Sequence, residues 1–330
     1  MIINDFTFLS SNKTTNIHAI ECIPENGQYT RVIQIIHGML EYIERYLPFC
    51  EYLTSKGFIV VGHDHLGHGQ SVNTPEDLGY FGEPDPNQLL IQDIHQLRNI
   101  AMEKYPNLPY YMLGHSMGSY LLREYLYLSS DGLSGAIIMG TGYISNCTAF
   151  MGKNFCKFLS CCKGQRHRST FARKLVFESG PYKSFDLKDE NRSWITSDPE
   201  MARLYNEDEK MKFDFTLNGY IGLIEATKIS SDPSYAEKIN KDLPLLFVSG
   251  SNDPVGDNGE GVRKAFDLML KVGVKDVNMK LFEGDRHEVL NEKNRQEVFE
   301  FIGNWLDEKN NNSDNANIIY INNYDLLWFL

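Results

Sequence analysis

The sequence predicts an α/β protein with a doubly wound, mostly parallel sheet and a helical cap inserted into it. Short apolar segments alternate with helical segments through most of the 330 residues, which is typical of a doubly wound sheet. Several of the apolar segments are continuous, as in parallel strands covered on both faces. Between residues 141 and 242 the strand pattern stops, and it resumes at Leu243. One long insertion between two strands of a single sheet explains this interruption.

Composition and charge exclude several classes of function. Hydrophobic residues make up 42% of the chain and aromatic residues 12%, enough for a packed core. The net charge of −12 repels phosphate backbones, so nucleic acid is not an expected partner. The N-terminus lacks a secretory signal pattern, and no apolar run reaches the roughly 18–20 residues of a membrane span. With six cysteines in no regular framework, we expect reduced thiols and a cytoplasmic location, with membrane contact peripheral at most.

Eight segments have the length and composition of strands. They cover residues 6–10, 17–23, 32–37, 58–62, 110–114, 135–139, 244–249 and 277–282. The first two alternate apolar and polar side chains more than the others do. We therefore expect them to form an antiparallel hairpin at the edge of the sheet.

Helices are predicted between these strands from periodicity and stop signals. They cover residues 43–56, 86–104, 120–128 and 292–306. The first precedes Gly57, and the second ends before Tyr105-Pro106, because the residue ahead of a proline disfavours helix. The last places its apolar side chains on one face, so we expect it to pack on the sheet.

These elements divide the chain into three parts. Residues 1–140 and 243–308 form the predicted core, and residues 141–242 form a helical cap over the carboxyl ends of the strands. Residues 309–330 read as a polar, low-complexity linker and an apolar tail. We expect the tail to dock on this protein or a partner subunit, with a disordered end and a membrane contact as alternatives.

The central chemical motif is Gly114-His-Ser116-Met-Gly118, which follows an apolar strand and precedes a helix. A serine on such a sharp strand-to-helix turn has an exposed hydroxyl, and the glycines let strand and helix approach each other. We therefore predict Ser116 as a nucleophile. The backbone N–H of Met117 then lies at a helix N-terminus, where it can stabilise an oxyanion.

A serine hydroxyl needs an adjacent base, and His287 is predicted to supply it from the loop after the last strand. His167, the other histidine after Ser116, lies in a basic stretch of the cap and is expected at the surface. Asp253 follows the preceding strand and is predicted to orient His287. Asp257 is its rival, four residues further on. In the loop after residues 32–37, Gly38 permits a tight turn, and Met39 N–H is the second predicted oxyanion donor.

Five short motifs follow one another in the stretch from residue 15 to 308. They are His37-Gly-Met-Leu-Glu41 with Arg45-Tyr46, Asp64-His-Leu-Gly-His-Gly-Gln-Ser71, Gly114-His-Ser-Met-Gly118, Asp253-Pro-Val-Gly256 and Arg286-His-Glu-Val-Leu-Asn-Glu292. In this order they resemble the bacterial lysophospholipase-like and monoacylglycerol-lipase-like α/β-hydrolases, which are grouped with serine aminopeptidase-type sequences. The resemblance supports both oxyanion donors and a variable helical cap. The chain departs from the pattern at Leu66, where arginine is frequent, in residues 154–168 and in the tail.

The predicted activity is hydrolysis of carboxylic esters through an acyl-enzyme, without a cofactor, because every reacting group is a protein group. The aromatic-rich cap favours a small-molecule ester or lipid with an apolar acyl chain, such as a monoacylglycerol or lysophospholipid. Amide or peptide hydrolysis on the same triad remains an alternative. Metal-dependent hydrolysis at His63-Asp64-His65 and His68, and a non-catalytic binding protein, are remote alternatives. Oligomeric state stays open.

Overall fold

The computed structural model describes residues 1–177, 182, 185 and 193–324, with the backbone alone for residues 175–177 and 311–324. Within that part of the chain, eight strands form one sheet. They are β1 (Ile2–Leu9), β2 (Asn16–Ile23), β3 (Arg31–Ile36), β4 (Phe58–His63), β5 (Tyr110–His115), β6 (Gly135–Met139), β7 (Leu245–Gly250) and β8 (Val277–Phe282). The strands expected from the apolar runs are all present, with ends that differ by a few residues at most.

The order of the strands in the sheet is β1-β2-β4-β3-β5-β6-β7-β8. β1 and β2 form the predicted antiparallel hairpin, and β2 pairs antiparallel with β4. From β4 to β8 all neighbours run parallel. The predicted doubly wound, mostly parallel sheet is confirmed. Parallel strands end at one edge of the sheet, so the loops that carry the predicted site residues meet there.

Ten α-helices occur among the described residues. They are α1 (Leu47–Ser55), α2 (Pro86–Lys104), α3 (Met117–Ser129), α4 (Asn146–Lys163), α5 (Thr170–Phe177), α6 (Pro199–Glu207), α7 (Leu217–Ser230), α8 (Pro233–Ala236), α9 (Glu260–Lys271) and α10 (Arg295–Tyr324). None of these helices combines the length and hydropathy that crossing a membrane requires. The α10 helix does not end near residue 306 as predicted but continues through the Asn-rich segment. Residues 325–330 of the predicted apolar tail lie outside the described residues.

The insertion leaves the sheet after β6 and returns at β7, and these two strands are hydrogen-bonded neighbours. It contributes α4 to α8, of which α7 packs against α2, α3 and α4. Arg123 on α3, which is fully buried, connects the start of the insertion to the end of α7. Its guanidinium donates to the carbonyl oxygens of Gly142 at 2.9 Å and Ser230 at 2.5 Å. One buried side chain of the core therefore fixes two distant points of the insertion, Gly142 and Ser230, relative to each other.

Candidate active site

Ser116 lies on the turn between β5 and α3, with φ 54° and ψ −121°. This conformation is uncommon for a residue with a side chain and places strain at the turn. The turn is held by the Ser116 N–H, which donates to the Met139 carbonyl at 3.0 Å. A Cβ atom on Gly118 would collide with the backbone carbonyls of Ile36 and His37. Glycine is therefore required there for α3 to approach the end of β3.

His287 and Asp253 are buried together at the ends of β8 and β7. The His287 Nδ1 atom lies 3.0 Å from each carboxylate oxygen of Asp253. The same carboxylate accepts hydrogen bonds from the Ser249 hydroxyl and the Val255 N–H, both at 2.9 Å. Burial raises the pKa of Asp253, but the charge and hydrogen bonds of His287 and these donors lower it below its usual value. The rival Asp257 is exposed, so Asp253 is the carboxylate that His287 contacts.

The loop after β3 turns sharply beside Ser116. A Cβ atom added to Gly38 would lie 2.9 Å from the Ser116 Cβ and 2.6 Å from a Glu41 carboxylate oxygen. The Gly38 N–H donates to that carboxylate at 2.5 Å, and Leu40 has a left-handed backbone with φ 59°. The loop is thus folded back on Glu41, and this presents Met39 at the wall of the cavity that contains Ser116.

Glu41 joins the loop after β3, residues 37–41, here called the oxyanion loop after its predicted donor Met39, to the loop that carries His287. Its carboxylate accepts from the Tyr46 hydroxyl at 2.9 Å and from Arg45 at 2.8 Å. Arg45 also donates to both carboxylate oxygens of Glu288 at 2.7 Å. Burial raises the pKa of Glu41, but His115 and Arg45 outweigh it and lower the pKa to about 2. An ionised Glu41 at the centre of these donors fixes both loops relative to each other.

Four histidines lie beneath the oxyanion loop, and all are fully buried. They are His37, His63, His65 and His68. The His37 Nε2 atom accepts from the His65 N–H at 2.9 Å and its Nδ1 donates to the Gly38 carbonyl at 2.8 Å, so the ring is neutral. Burial lowers the pKa of all four, to about 4 for His65 and about 3 for His68. Among the described residues their ring nitrogens do not converge on one point as metal ligands would. The cluster supports the loop as neutral rings.

A cavity of about 1350 Å³ lies between the strand ends and the cap. Ser116, His287, Met39 and Met117 line it at the sheet, whereas Asp253 lies behind His287. Its cap side is mainly apolar and includes Ile144, Met151, Phe155, Phe171, Leu223 and Ile224. The ring of Trp194 lies over His287, with centroids 5.1 Å apart. The predicted nucleophile, base and oxyanion donors and an apolar wall therefore share one cavity, which is open to solvent beside Met151 and Phe171.

A comparison with protein families independently assigns the chain to a family. The model of the serine aminopeptidase S33 family matches residues 27–294, a stretch that includes every predicted site residue. The chain belongs to the serine aminopeptidase S33 family. Its fold is that of the α/β-hydrolases, and the resemblance expected from the five motifs is confirmed.

Relatives of this S33 chain cover most of its length. A monoacylglycerol lipase from Mycolicibacterium smegmatis is 25% identical over 282 residues, covering 83% of this chain and 87% of that protein. A monoglyceride lipase from Rattus norvegicus is 25% identical over 269 residues, covering 79% and 77%. Among solved structures, a thermostable carboxyl esterase from Bacillus coagulans in complex with glycerol has a TM-score of 0.86 at 29% identity. It covers 93% of this chain and 99% of its own.

In this S33 protein the structure brings the five predicted site residues to the same edge of the sheet. Sequence reasoning gave no role to His115, Arg45, Glu288 or Trp194, although the first three lie inside the motifs that carried the resemblance. Arg45, His115 and Glu288 could have been noticed as ionisable residues next to apolar ones within those motifs. The motifs could not show that Glu41 contacts His115, 74 positions away, or that Arg45 contacts Glu288, 243 positions away.

Proposed function

We propose that the protein hydrolyses carboxylic esters of apolar acyl chains, such as a monoacylglycerol or lysophospholipid, through an acyl-enzyme on Ser116. The observation that carries the proposal is the cavity, because Ser116, His287 and both predicted oxyanion donors line it together with an apolar wall. The wall of α4, α5 and α7 side chains fits an acyl chain, whose burial there is favourable by about 25 cal/mol per Å² of apolar surface. The ester carbonyl then lies at the sheet end of the cavity.

The reaction follows from the roles of the named groups. The Ser116 oxygen attacks the ester carbonyl while His287 Nε2 accepts the serine proton, and a C–O bond forms. The Met39 and Met117 N–H groups donate to the oxyanion of the tetrahedral intermediate. His287 then protonates the leaving alcohol as its C–O bond breaks. In the second half, His287 takes a proton from water, the water oxygen attacks the acyl-enzyme, and the acid and free Ser116 are released.

Asp253 supports each proton transfer without exchanging a proton itself. Its carboxylate accepts from His287 Nδ1, so Nε2 is the ring nitrogen that remains to accept the serine proton. Because the pKa of Asp253 is held low, the carboxylate stays charged and stabilises the imidazolium that forms in both halves of the reaction.

The general class follows from the relatives. Several of them are named as lipases or esterases, and the protein is a carboxylic ester hydrolase of the α/β-hydrolase fold. The description of the matching family, serine aminopeptidase, favours a second candidate, release of an N-terminal amino acid. Both reactions use the same acyl-enzyme chemistry, so the substrate alone separates them.

The test is hydrolysis of p-nitrophenyl esters from acetate to palmitate by the wild type, Ser116→Ala and Ser134→Ala. Ser134 is half-buried, lies directly before β6 and does not line the cavity, which makes it a matched control. We expect Ser116→Ala to lower kcat by about 10³–10⁶-fold and Ser134→Ala to leave it unchanged. The wild-type optimum should lie at medium or long acyl chains.

Two outcomes would count against the proposal. An optimum at acetate would mean that the apolar wall does not bind the acyl chain. Ser116-dependent cleavage of aminoacyl p-nitroanilides, without Ser116-dependent cleavage of any ester, would support the aminopeptidase candidate. Monoacylglycerol and lysophosphatidylcholine are then compared at equal acyl length to identify the leaving group.

A further inference from the structure

His18 on β2 is surrounded by side chains that can bind a cation. Its Nε2 atom lies 3.1 Å from a carboxylate oxygen of Asp5 and 3.3 Å from the side-chain amide nitrogen of Gln70. A carboxylate oxygen of Glu44 lies 3.5 Å from the same amide nitrogen. One ligand atom each from Asp5, His18 and Glu44 lies within 4.8 Å of the other two. In the described part of the chain, no other three His, Cys, Asp or Glu side chains meet at this spacing.

Four separate segments of the chain bring these side chains together. Asp5 on β1 and His18 on β2 are diagonal neighbours on one face of the antiparallel hairpin. Glu44 comes from the short helical turn Ile43–Tyr46, which follows the oxyanion loop. Gln70 comes from the loop after β4. An ion bound between them would therefore connect the hairpin at the edge of the sheet to the turn after the oxyanion loop.

A buried carboxylate holds the His18 ring from its other side. The Nδ1 atom of His18 lies 3.0 Å from Asp64, which is fully buried. The Asp64 carboxylate also accepts from the N–H groups of Ile43 and Gln70, both at 2.8 Å. Because His18 itself is only 6% exposed, its surroundings fix the orientation of the ring. A histidine that ligates a metal ion is typically supported in this way, by a carboxylate on its second nitrogen.

A neutral His18 cannot satisfy both of the carboxylates that it contacts. Nδ1 faces an Asp64 oxygen at 3.0 Å, and Nε2 faces an Asp5 oxygen at 3.1 Å. Whichever nitrogen carries the single proton of a neutral ring, the other nitrogen is an acceptor that faces a second acceptor. This repulsion is removed either by a second proton on the ring or by a cation between Nε2 and Asp5.

The charge of the group also favours a cation. Asp5, Glu44 and Asp64 carry three negative charges, and their ion pairs among the described residues are with His18 and Lys210. Lys210 contacts Oε2 of Glu44 at 2.9 Å, so Oε1 remains for a metal ion. The side chain of Asp5 is 65% exposed, which gives an ion access from solvent. A divalent cation would therefore neutralise an excess of negative charge.

The ligand types select the class of ion. One imidazole nitrogen and two carboxylate oxygens suit a divalent transition-metal ion such as Zn²⁺, whereas Ca²⁺ and Mg²⁺ prefer oxygen ligands alone. Tetrahedral Zn²⁺ ligands lie about 3.4 Å apart when each bond is about 2.1 Å long. Small rotations of Asp5 and Glu44 would bring their oxygens to that distance. Rotation of the Gln70 amide would present its oxygen beside His18 Nε2 as a fourth ligand.

We propose that Asp5, His18, Glu44 and Gln70, here named the hairpin metal site, bind a divalent transition-metal ion of the Zn²⁺ type. His18 Nε2 and one oxygen from each of the other three side chains coordinate the ion, and Asp64 supports the histidine from behind. None of the four ligands lines the cavity of the candidate active site. The site is therefore structural, and a bound ion stabilises the folded chain by mass action. The proposal goes beyond the hydrolytic reaction, since binding requires no turnover.

The experiment is isothermal titration calorimetry of the untagged, chelator-treated protein with Zn²⁺, and in separate runs with Ca²⁺ and Mg²⁺. The variants are Asp5→Asn and Asp5→Asn/Glu44→Gln, which keep the size of each side chain and remove its charge. The matched control is Glu25→Gln, which removes an exposed carboxylate from the turn after β2.

A second control excludes the exposed thiols, because cysteine is itself a strong zinc ligand. Cys147, Cys161 and Cys162 are exposed, and none of them lines the cavity. The variant Cys147→Ser/Cys161→Ser/Cys162→Ser removes all three. Thermal unfolding of every variant without added metal reports whether it still folds.

We expect the wild type, Glu25→Gln and the cysteine variant to share one Zn²⁺ site of the same Kd, and none of them to bind Ca²⁺ or Mg²⁺ comparably. Asp5→Asn should raise the Kd for Zn²⁺ by at least about tenfold, and the double variant by at least about 100-fold. Saturating Zn²⁺ should raise the Tm of the wild type and leave that of the double variant unchanged, because only a bound ion shifts the folding equilibrium.

A wild-type protein that binds no Zn²⁺ would overturn the proposal, and a second proton on His18 would then connect Asp5 and Asp64. Equal Kd values for the wild type and Asp5→Asn/Glu44→Gln would also overturn it, as would loss of Zn²⁺ binding in the cysteine variant. These results are independent of the hydrolytic proposal. Metal binding can fail while ester turnover persists, and turnover can fail while Zn²⁺ still binds.

Discussion

Glu41 and His115 form a fully buried contact of 3.1 Å, between a carboxylate oxygen and Nδ1 of the ring, directly beside Ser116. The other ring nitrogen of His115 lies 3.3 Å from the His287 carbonyl. Burial lowers the pKa of His115, but the Glu41 carboxylate more than compensates and raises it above its ordinary value. One side chain thus connects the oxyanion loop, the nucleophile turn and the histidine loop.

Replacing Glu41 tests this connection. In Glu41→Gln the Gly38 N–H and His115 lose a charged acceptor, so the oxyanion loop is held less firmly. We expect kcat to fall by about 10- to 100-fold with little change in KM, because the oxyanion forms only in the transition state. The matched control is Glu44→Gln, a half-buried carboxylate on the neighbouring turn that pairs with Lys210. Equal kcat values for the two variants would contradict the role given to Glu41.

Gly38 tests the geometry of the same loop by crowding it. The added methyl group of Gly38→Ala would lie 2.9 Å from the Ser116 Cβ, so loop and nucleophile must move apart. We expect kcat to fall by at least about 100-fold, because the predicted donors lose their distance to the oxyanion. The control is Gly27→Ala, where nothing lies within 4 Å of the added atom and the φ of 66° strains only the turn between β2 and β3. A normal kcat for Gly38→Ala, with wild-type thermal stability, would contradict the prediction that the Met39 N–H is an oxyanion donor.

The choice between Asp253 and Asp257 is tested with two isosteric variants. Asp253→Asn loses the charged acceptor for His287 Nδ1, and we expect kcat to fall by about 10³–10⁴-fold. Asp257→Asn should keep wild-type kcat, because that side chain is exposed and asparagine tolerates its left-handed backbone of φ 51°. Steady-state kinetics on one p-nitrophenyl ester compare the kcat of the two variants. A larger loss of kcat in Asp257→Asn than in Asp253→Asn would assign the orienting role to Asp257.

The buried histidines predict that acid unfolds the protein. An unfolded histidine binds a proton near pH 6.5, whereas His65 stays neutral down to about pH 4 in the fold. Between these values the unfolded chain binds more protons, so the free energy of unfolding falls as the pH falls. His18 and His115 have raised pKa values, and their contribution is lost instead as the pH rises above 6.5. Urea unfolding at several pH values measures the net slope.

His63→Leu isolates one member of that cluster. His63 has no hydrogen-bond partner for either ring nitrogen in the described part of the chain, and it packs edge-on against Phe8. The slope of the free energy of unfolding against pH should fall by about 1.4 kcal/mol per pH unit when His63 is removed. This holds between the pH at which an unfolded histidine binds a proton and the lower pH at which His63 does so in the fold. His167→Gln, a half-buried cap histidine, is the control for losing any histidine. An unchanged slope for His63→Leu would show that burial of a neutral His63 does not contribute to the loss of stability at low pH.

The fold could be predicted closely because its signals are local. The buried strands are continuous apolar runs, and the serine turn is marked by Gly114 and Gly118. The end of α10 was predicted wrongly, because the polar, asparagine-rich composition after residue 309 was interpreted as a linker. No proline or glycine interrupts that segment, and the helix continues to Tyr324. The Glu41–His115 contact could not be predicted, because neither hydropathy nor spacing reveals which polar residues meet once the strand ends come together. The division into cap and core remains a prediction.

The link that Arg123 makes between Gly142 and Ser230 has an evolutionary consequence. Since Gly142 and Ser230 bind the same guanidinium, the segment between them starts and returns at one place, and its length can change without moving a strand of the sheet. Lineages can lengthen, shorten or rewrite this loop while the machinery at the strand ends is inherited intact. New ligand preferences in such proteins can therefore arise within one exchangeable module.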